Sequence, residues 1–250
     1  MFKDVFEAGN DPAMSRYLAL KRDLNLNYLR LTGETSLVGP YGFPSLATPP
    51  KVVIDYLALY SRPSEYAKTP WTALCFYEYD RVFDGPKGLW HAIYHDDKKL
   101  LDYYKKRFEK VDVAISPDYS MIGDAPEAFN IFNVLRARIV SLWLTLECGK
   151  IVVPSVTYAS EGSFEYMLDG LERCQVVAFS AKGSLRNAEQ RVLFEKAIEF
   201  TVGKLDVLKQ IIVYNVARSD NDINSLFSCA LSKGIEVVIP DNLLKRRNSL

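Results

Sequence analysis

The chain has 250 residues and 28.4 kDa, with 48% hydrophobic, 12% aromatic and 25% charged residues, a balance that excludes disordered and collagen-like chains. A chain of this length buries roughly 70–75% of its unfolded surface, enough for a core without disulfide staples. Lysine plus arginine and aspartate plus glutamate both total 31, so the chain lacks the global basic field with which non-specific nucleic-acid binders displace phosphate counterions.

In chain order, Asp11-Pro12 followed by Ala13 to Lys21 predicts a short helix, because proline suits a first helical turn and the apolar residues recur at helical spacing. Between Gly39 and Pro50 stand two glycines and four prolines, a density that predicts an ordered loop packed by its aromatics, without ladder or helix. Residues 1–50 therefore read as an irregular Pro/Gly-rich N-terminal extension packed on a single α/β domain, 51–250.

From residue 71 short apolar runs alternate with stretches of helical period, the pattern of β-α units around a mainly parallel sheet. The predicted strands are 73–77, 111–115, 150–154, 175–179, 210–214 and 235–239. Helices are expected over 88–109, 125–147, 164–171, 188–203 and 221–233, the longest with Phe129, Phe132, Leu135, Ile139, Leu142 and Leu146 at steps of three and four. Such a chain is α/β, either barrel-like, closed by an N-terminal strand such as Val52-Val53-Ile54, or an open doubly wound sheet. Both architectures collect ligands where the carboxyl ends of the strands meet their loops.

The strand ends carry Glu78, Tyr79 and Asp80, then Ser116, Asp118 and Ser120, then Ser155, Tyr158 and Glu161, then Ser180 and Lys182, then Tyr214 and Asn215. Two carboxylates in different environments suit general acid/base work, and a lysine suits an anion. Asp118, Glu161 and Lys182 are the candidate catalytic residues, and Glu78, Asp80, Ser120, Tyr158, Ser180 and Asn215 the candidate ligand-binding ones. Acids and serines after strands also serve as N-caps, their commoner use at any one position. Oxygen ligands of this kind suit magnesium, but no metal-ligand set is assigned and no cofactor is indicated.

His91 and His95 stand four apart on a predicted helix, the spacing of metal pairs, yet a third ligand is not apparent and a surface face is the plainer reading. Cys75, Cys148, Cys174 and Cys229 lie far apart with no Cys-x-x-Cys pair, which predicts reduced core thiols. A Walker loop, a Gly-x-Gly-x-x-Gly fingerprint and a Gly-x-Ser-x-Gly elbow are missing; Ala181-Lys182-Gly183-Ser184 only resembles a phosphate loop. The acidic start lacks a basic-then-apolar leader, and no run of about 20 apolar residues occurs, so the cytoplasm is expected and a membrane is not.

Val113–Ser120, then Asp124-Ala125-Pro126 opening a helix with Asn130, Asn133 and Arg136, then Gly149–Tyr158, Ser163-Phe164 and Asp169-Gly170 together resemble an uncharacterised domain-of-unknown-function family of bacteria and their phages and plasmids, over roughly residues 70 to 217. The resemblance implies an α/β fold and a gene carried on mobile elements, and it draws attention to Asp118, Ser120 and Glu161. Where that family tends to have a tryptophan and an acid after the third strand, this chain has Tyr158 and Glu161.

The leading expectation is a polar pocket at the carboxyl ends of the strands that binds or hydrolyses a small phosphorylated or sugar-like ligand. The alternative is a non-catalytic interaction module of a mobile element, touching protein or nucleic acid through its Pro/aromatic N-terminal segment and its basic run Lys245-Arg246-Arg247. A magnesium-dependent nuclease fits the neutral charge least.

Overall fold

Strands buried on both faces read as unbroken apolar runs, and the runs above fold in that way. The structure, a computed structural model, describes residues 26–185, 187–217 and 219–248; the helix expected over Asp11–Lys21 lies outside them. Strands β1 (Leu37–Val38) and β2 (Phe43–Pro44) form a short antiparallel hairpin. The others are β3 (Tyr56–Leu59), β4 (Thr72–Cys75), β5 (Val113–Ile115), β6 (Ile151–Val153), β7 (Val176–Ser180), β8 (Gln210–Tyr214), β9 (Glu236–Val238) and β10 (Asp241–Asn242).

β10, β3, β4, β5 and β6 are neighbours in that order, and β7, β8 and β9 form a second set; every pairing in both is parallel. The two sets join on both sides. Beyond β6, Val156 N–H donates to the Ala178 carbonyl and Ala178 N–H to that of Pro154, each at 2.8 Å. On the other side the chain leaves β9, beside β8, and after Ile239-Pro240 enters β10, beside β3. The run 236–242 therefore acts as one staple whose first half pairs with β8 and whose second half pairs with β3. With β3 to β8 it closes a seven-stranded parallel ring.

Side-chain packing agrees with closure. One separate apolar core contains Leu57, Leu59, Ala73, Cys75, Ile115, Val153, Val176, Ala178 and Ile212, alternate residues of successive strands, and takes nothing from any helix. An open sheet covered by helices on both faces has no such helix-free face, so of the two architectures the sequence allowed, the barrel is the one formed.

The closing strand is Tyr56–Leu59 rather than Val52–Ile54, a correction with a simple cause. A barrel strand must pair on both sides, which β3 does with β10 and β4. Val52 and Ile54 instead cross the amino end of the ring, each only 4% exposed, and plug it while Val53 faces out.

Among the described residues the helices are α1 (Asp80–Phe83), α2 (Leu89–His95), α3 (Lys98–Arg107), α4 (Glu127–Leu146), α5 (Ala188–Lys204), α6 (Asn221–Leu226), α7 (Ser228–Ser232) and α8 (Leu243–Asn248). The helix expected over 88–109 breaks because Asp96 takes a left-handed conformation, φ 52°, and the Asp97 carboxylate caps α3 by accepting from Leu100 N–H. The one expected over 221–233 divides at Phe227. Residues 164–171 are not an α-helix. There a 3-10 turn, Glu161–Glu165, is cinched by Ser163, whose hydroxyl donates to the Ser160 carbonyl at 2.6 Å, and further turns follow.

Residues 26–50 hold a 3-10 stretch, Leu26–Glu34, and the β1–β2 hairpin, so the expectation of no ladder there is corrected. Gly39 and Gly42, at φ 70° and 65°, supply the left-handed turn that lets two residues pair on each side. Leu31 and Leu46 join the outer core, and Phe43 packs with Val134 of α4 and Tyr166. α4 is long and apolar enough, by length and composition, to cross a membrane, yet most of it is buried in the protein, as suits a core helix. The fully buried Arg138 on α4 donates to the Met167 and Asp169 carbonyls at 2.9 and 3.2 Å.

Candidate functional site at the carboxyl mouth of the barrel

Because all seven strands run the same way, the residues that follow them gather at one end. Tyr77, two residues beyond β4, stacks on Tyr214 across the ring with centroids 4.9 Å apart. The Tyr77 hydroxyl and Ser155 Oγ share a hydrogen bond of 3.1 Å, and Ser155 N–H donates to Ser116 Oγ at 2.8 Å. These side chains are almost fully buried and close the interior beneath the mouth.

Asp118 follows β5 by three residues, and Tyr77 in this layer feels its charge. Burial pushes its carboxyl up to about 7, the nearby Asp80 charge pushes the same way, and Lys182 acts against both. Among the described residues none donates a hydrogen bond to it. Its charge is felt in turn by Tyr77, raised well above the ordinary phenol range mainly by burial, and by Tyr158, pushed up to about 12 by burial and held back by a hydrogen bond with Ser184. Lys182 arrives from the loop after β7, and its Nζ donates to the Tyr77 carbonyl at 3.0 Å. Asp80, Lys182, Tyr77 and Tyr158 therefore all interact electrostatically with Asp118, Asp80 more strongly than Lys182.

The other candidates have more local duties. Glu78 accepts from Ser61 N–H and Oγ, at 2.8 and 2.5 Å, and so pins the loop after β3. Asp80 accepts from Ser120 N–H and Oγ at 3.1 and 3.0 Å, tying the loops after β4 and β5. Ser180 accepts from Lys182 N–H through its hydroxyl and from Ser184 through its carbonyl. Asn215 is buried, donating to Ser219 and Asp220 and accepting from Ala217 N–H. Glu161 is placed elsewhere: its side chain is 63% exposed and ion-paired at 2.6 Å with Lys196 on α5. Gly183, at φ 92°, turns the loop after Lys182, and α5 begins later with Asn187 as its cap, so the phosphate-loop likeness does not become a helix N-terminus beside Lys182.

Three contributors escaped the sequence reading as site residues. Arg62 follows β3, a strand the sequence did not single out. Tyr77 reads as strand core until the ring closes. Arg247 belongs to the basic run, which the structure divides. Lys245 and Arg246 pair with Asp220 and Asp241, while Arg247 lines a cleft of about 200 Å³ at the mouth with Ser61, Arg62, Glu78, Tyr79 and Lys182. Among the described residues three cations and one carboxylate thus surround this space.

His91 and His95 lie side by side with ring centroids 4.2 Å apart. Among the described residues no group of three or more His, Cys, Asp or Glu side chains is placed to hold a metal ion. The four cysteines are free; Cys75 and Cys174 are buried and the other two partly so.

A family model described as "Domain of unknown function (DUF4417)" matches residues 35–229. The chain is 27% identical over 198 residues to the Gene 1 protein of Mycobacterium phage L5, which covers 78% of this chain and 80% of the phage protein. It is 26% identical over 198 residues to the Gene 1 protein of Mycobacterium phage D29, covering 78% and 67% respectively. No solved structure matches it.

Proposed function

This chain belongs to the domain-of-unknown-function family DUF4417, and from its geometry we propose that the barrel mouth binds a small phosphorylated or sugar-like ligand, with Lys182 as counter-charge and Asp118 as the group that takes or gives a proton. The observation that carries this reading is Lys182, from the loop after β7, reaching the Tyr77 carbonyl at 3.0 Å at the mouth, where its charge also acts on Asp118, from the loop after β5. A carboxyl poised near neutrality can both accept and return a proton at working pH, as general acid/base chemistry requires. The adjacent ammonium favours an anionic ligand group. In this reading Glu161, held by Lys196, is not a partner of Asp118.

A thermal-shift screen of the full chain against sugar phosphates, nucleotides and neutral sugars tests the reading, since a ligand that binds only the folded state raises its stability by mass action. Shifts that vanish in Lys182→Met and persist in Asp118→Asn are expected for anionic ligands. Equal shifts in Lys182→Met and the parent chain would remove the mouth as the binding site.

A further inference from the structure

The cleft at the mouth that Lys182 lines has a shape and charge that narrow the ligand class. Three cations line it, Arg62 after β3, Lys182 after β7 and Arg247 on α8. Among the described residues none of the three is in an ion pair, although Lys245 and Arg246, on the same short helix as Arg247, are both paired. Among the described residues the one carboxylate in the lining, Glu78, is already engaged by Ser61. With three cations against the single Glu78, the described lining carries an excess of positive charge that an anionic ligand would balance.

At about 200 Å³ the cleft is smaller than the roughly 300–1,000 Å³ usual for sites that enclose a whole drug-sized ligand. It has room for a phosphate and an attached sugar, and any further part of the ligand must lie on the rim. Tyr79 forms that rim. It is 67% exposed, far more than a ring that serves the core, and two cations lie near it, the Arg81 guanidinium 5.3 Å and Lys182 Nζ 5.9 Å from its centroid. Its backbone opens α1 while its side chain caps nothing. An exposed aromatic face beside a cationic cleft is the arrangement by which proteins stack a base and track its phosphate.

We infer that the ligand of the mouth is a nucleoside monophosphate, its phosphate held among Arg62, Lys182 and Arg247 and its base laid on Tyr79. This deepens the pocket reading above and rests on it.

Titration of the full-length chain with the four common nucleoside monophosphates, ribose 5-phosphate and a short single-stranded oligonucleotide tests the inference. Stacking on an aromatic ring is worth roughly 5- to 150-fold in affinity. At least one nucleoside monophosphate should therefore bind tighter than ribose 5-phosphate by a factor in that range. Tyr79→Leu should abolish the difference and leave ribose 5-phosphate unchanged, whereas Arg62→Met and Arg247→Met should weaken both. All three side chains are exposed, so these variants keep the fold, which circular dichroism checks. Ribose 5-phosphate binding as tightly as every nucleotide, or insensitivity to Tyr79→Leu, overturns the base site and leaves the phosphate pocket standing. Tighter, Tyr79-dependent binding of the oligonucleotide overturns it in favour of a strand. Binding of no phosphorylated compound overturns both readings.

Discussion

At the amino end of the barrel Gln210 accepts from Val52 N–H at 2.9 Å and donates to Glu236 at 3.0 Å, and Glu236 in turn holds Lys51 at 3.0 Å. At the carboxyl end Asp118 accepts from no described residue, and Arg62 and Arg247 reach a cleft without an ion-pair partner among the described residues. The same strands supply both ends. The amino end closes because its polar groups satisfy one another around an apolar plug. At the carboxyl end hydrogen-bonding and charge capacity is left over, and unspent capacity of that kind is what a ligand can use. The contrast matches the general division of parallel barrels into a stabilising end and a working end.

The largest effect is expected at the plug. Ile54→Ala empties a buried position between the strands and should lower unfolding stability by about 2–5 kcal/mol, the usual range for such truncations, read from the urea midpoint. Next comes Gln210→Ala, which leaves Val52 N–H without its acceptor in a buried setting; a loss of about 1–3 kcal/mol is expected. If either substitution is silent, the amino end is not the stabilising one.

Asp118→Asn should not destabilise at all near neutral pH and should change the pH dependence. The folded chain keeps the Asp118 proton up to about pH 7, whereas the ordinary value is 3.8. Between these limits the native state binds more protons than the unfolded state, so this group's contribution to stability falls as pH rises from about 4 to about 7 and is level above that. The variant should lose that part of the slope, measured as melting temperature against pH; an unchanged slope would mean that Asp118 is an ordinary solvated acid. The smallest effect is expected for Lys182→Met, within about 0.5 kcal/mol of the parent as for most surface substitutions. A loss as large as that of Gln210→Ala would make the mouth as structural as the plug and blunt the comparison.

Six of the strands are legible in the sequence because β-branched runs such as Gln210–Tyr214 and Val176–Ser180 carry their own signal. Tyr56–Leu59 is not, because the more β-branched Val52–Ile54 lies close by and competes. α2 and α3 read as one helix because the apolar spacing continues through Asp96, and only the backbone shows the left-handed residue that parts them. In the site, Asp118, Lys182 and Tyr158 were recognisable as polar residues following strands. Glu161 satisfies the same rule, yet the 3-10 turn that it opens leaves it against Lys196 on α5. Position along the chain therefore identified candidates without saying which way each side chain would face.

The alternation of strand-like and helical segments was set by the chain itself, since hydrophobic periodicity is a local property of neighbouring residues. Closure of the ring was decided only in three dimensions, because it depends on residues 236–242 bridging β8 and β3, partners about 25 and 185 positions away along the chain. That long-range pairing also chose the members of the mouth. It brought Arg62, after β3, and Arg247, on α8, to the same cleft as Lys182.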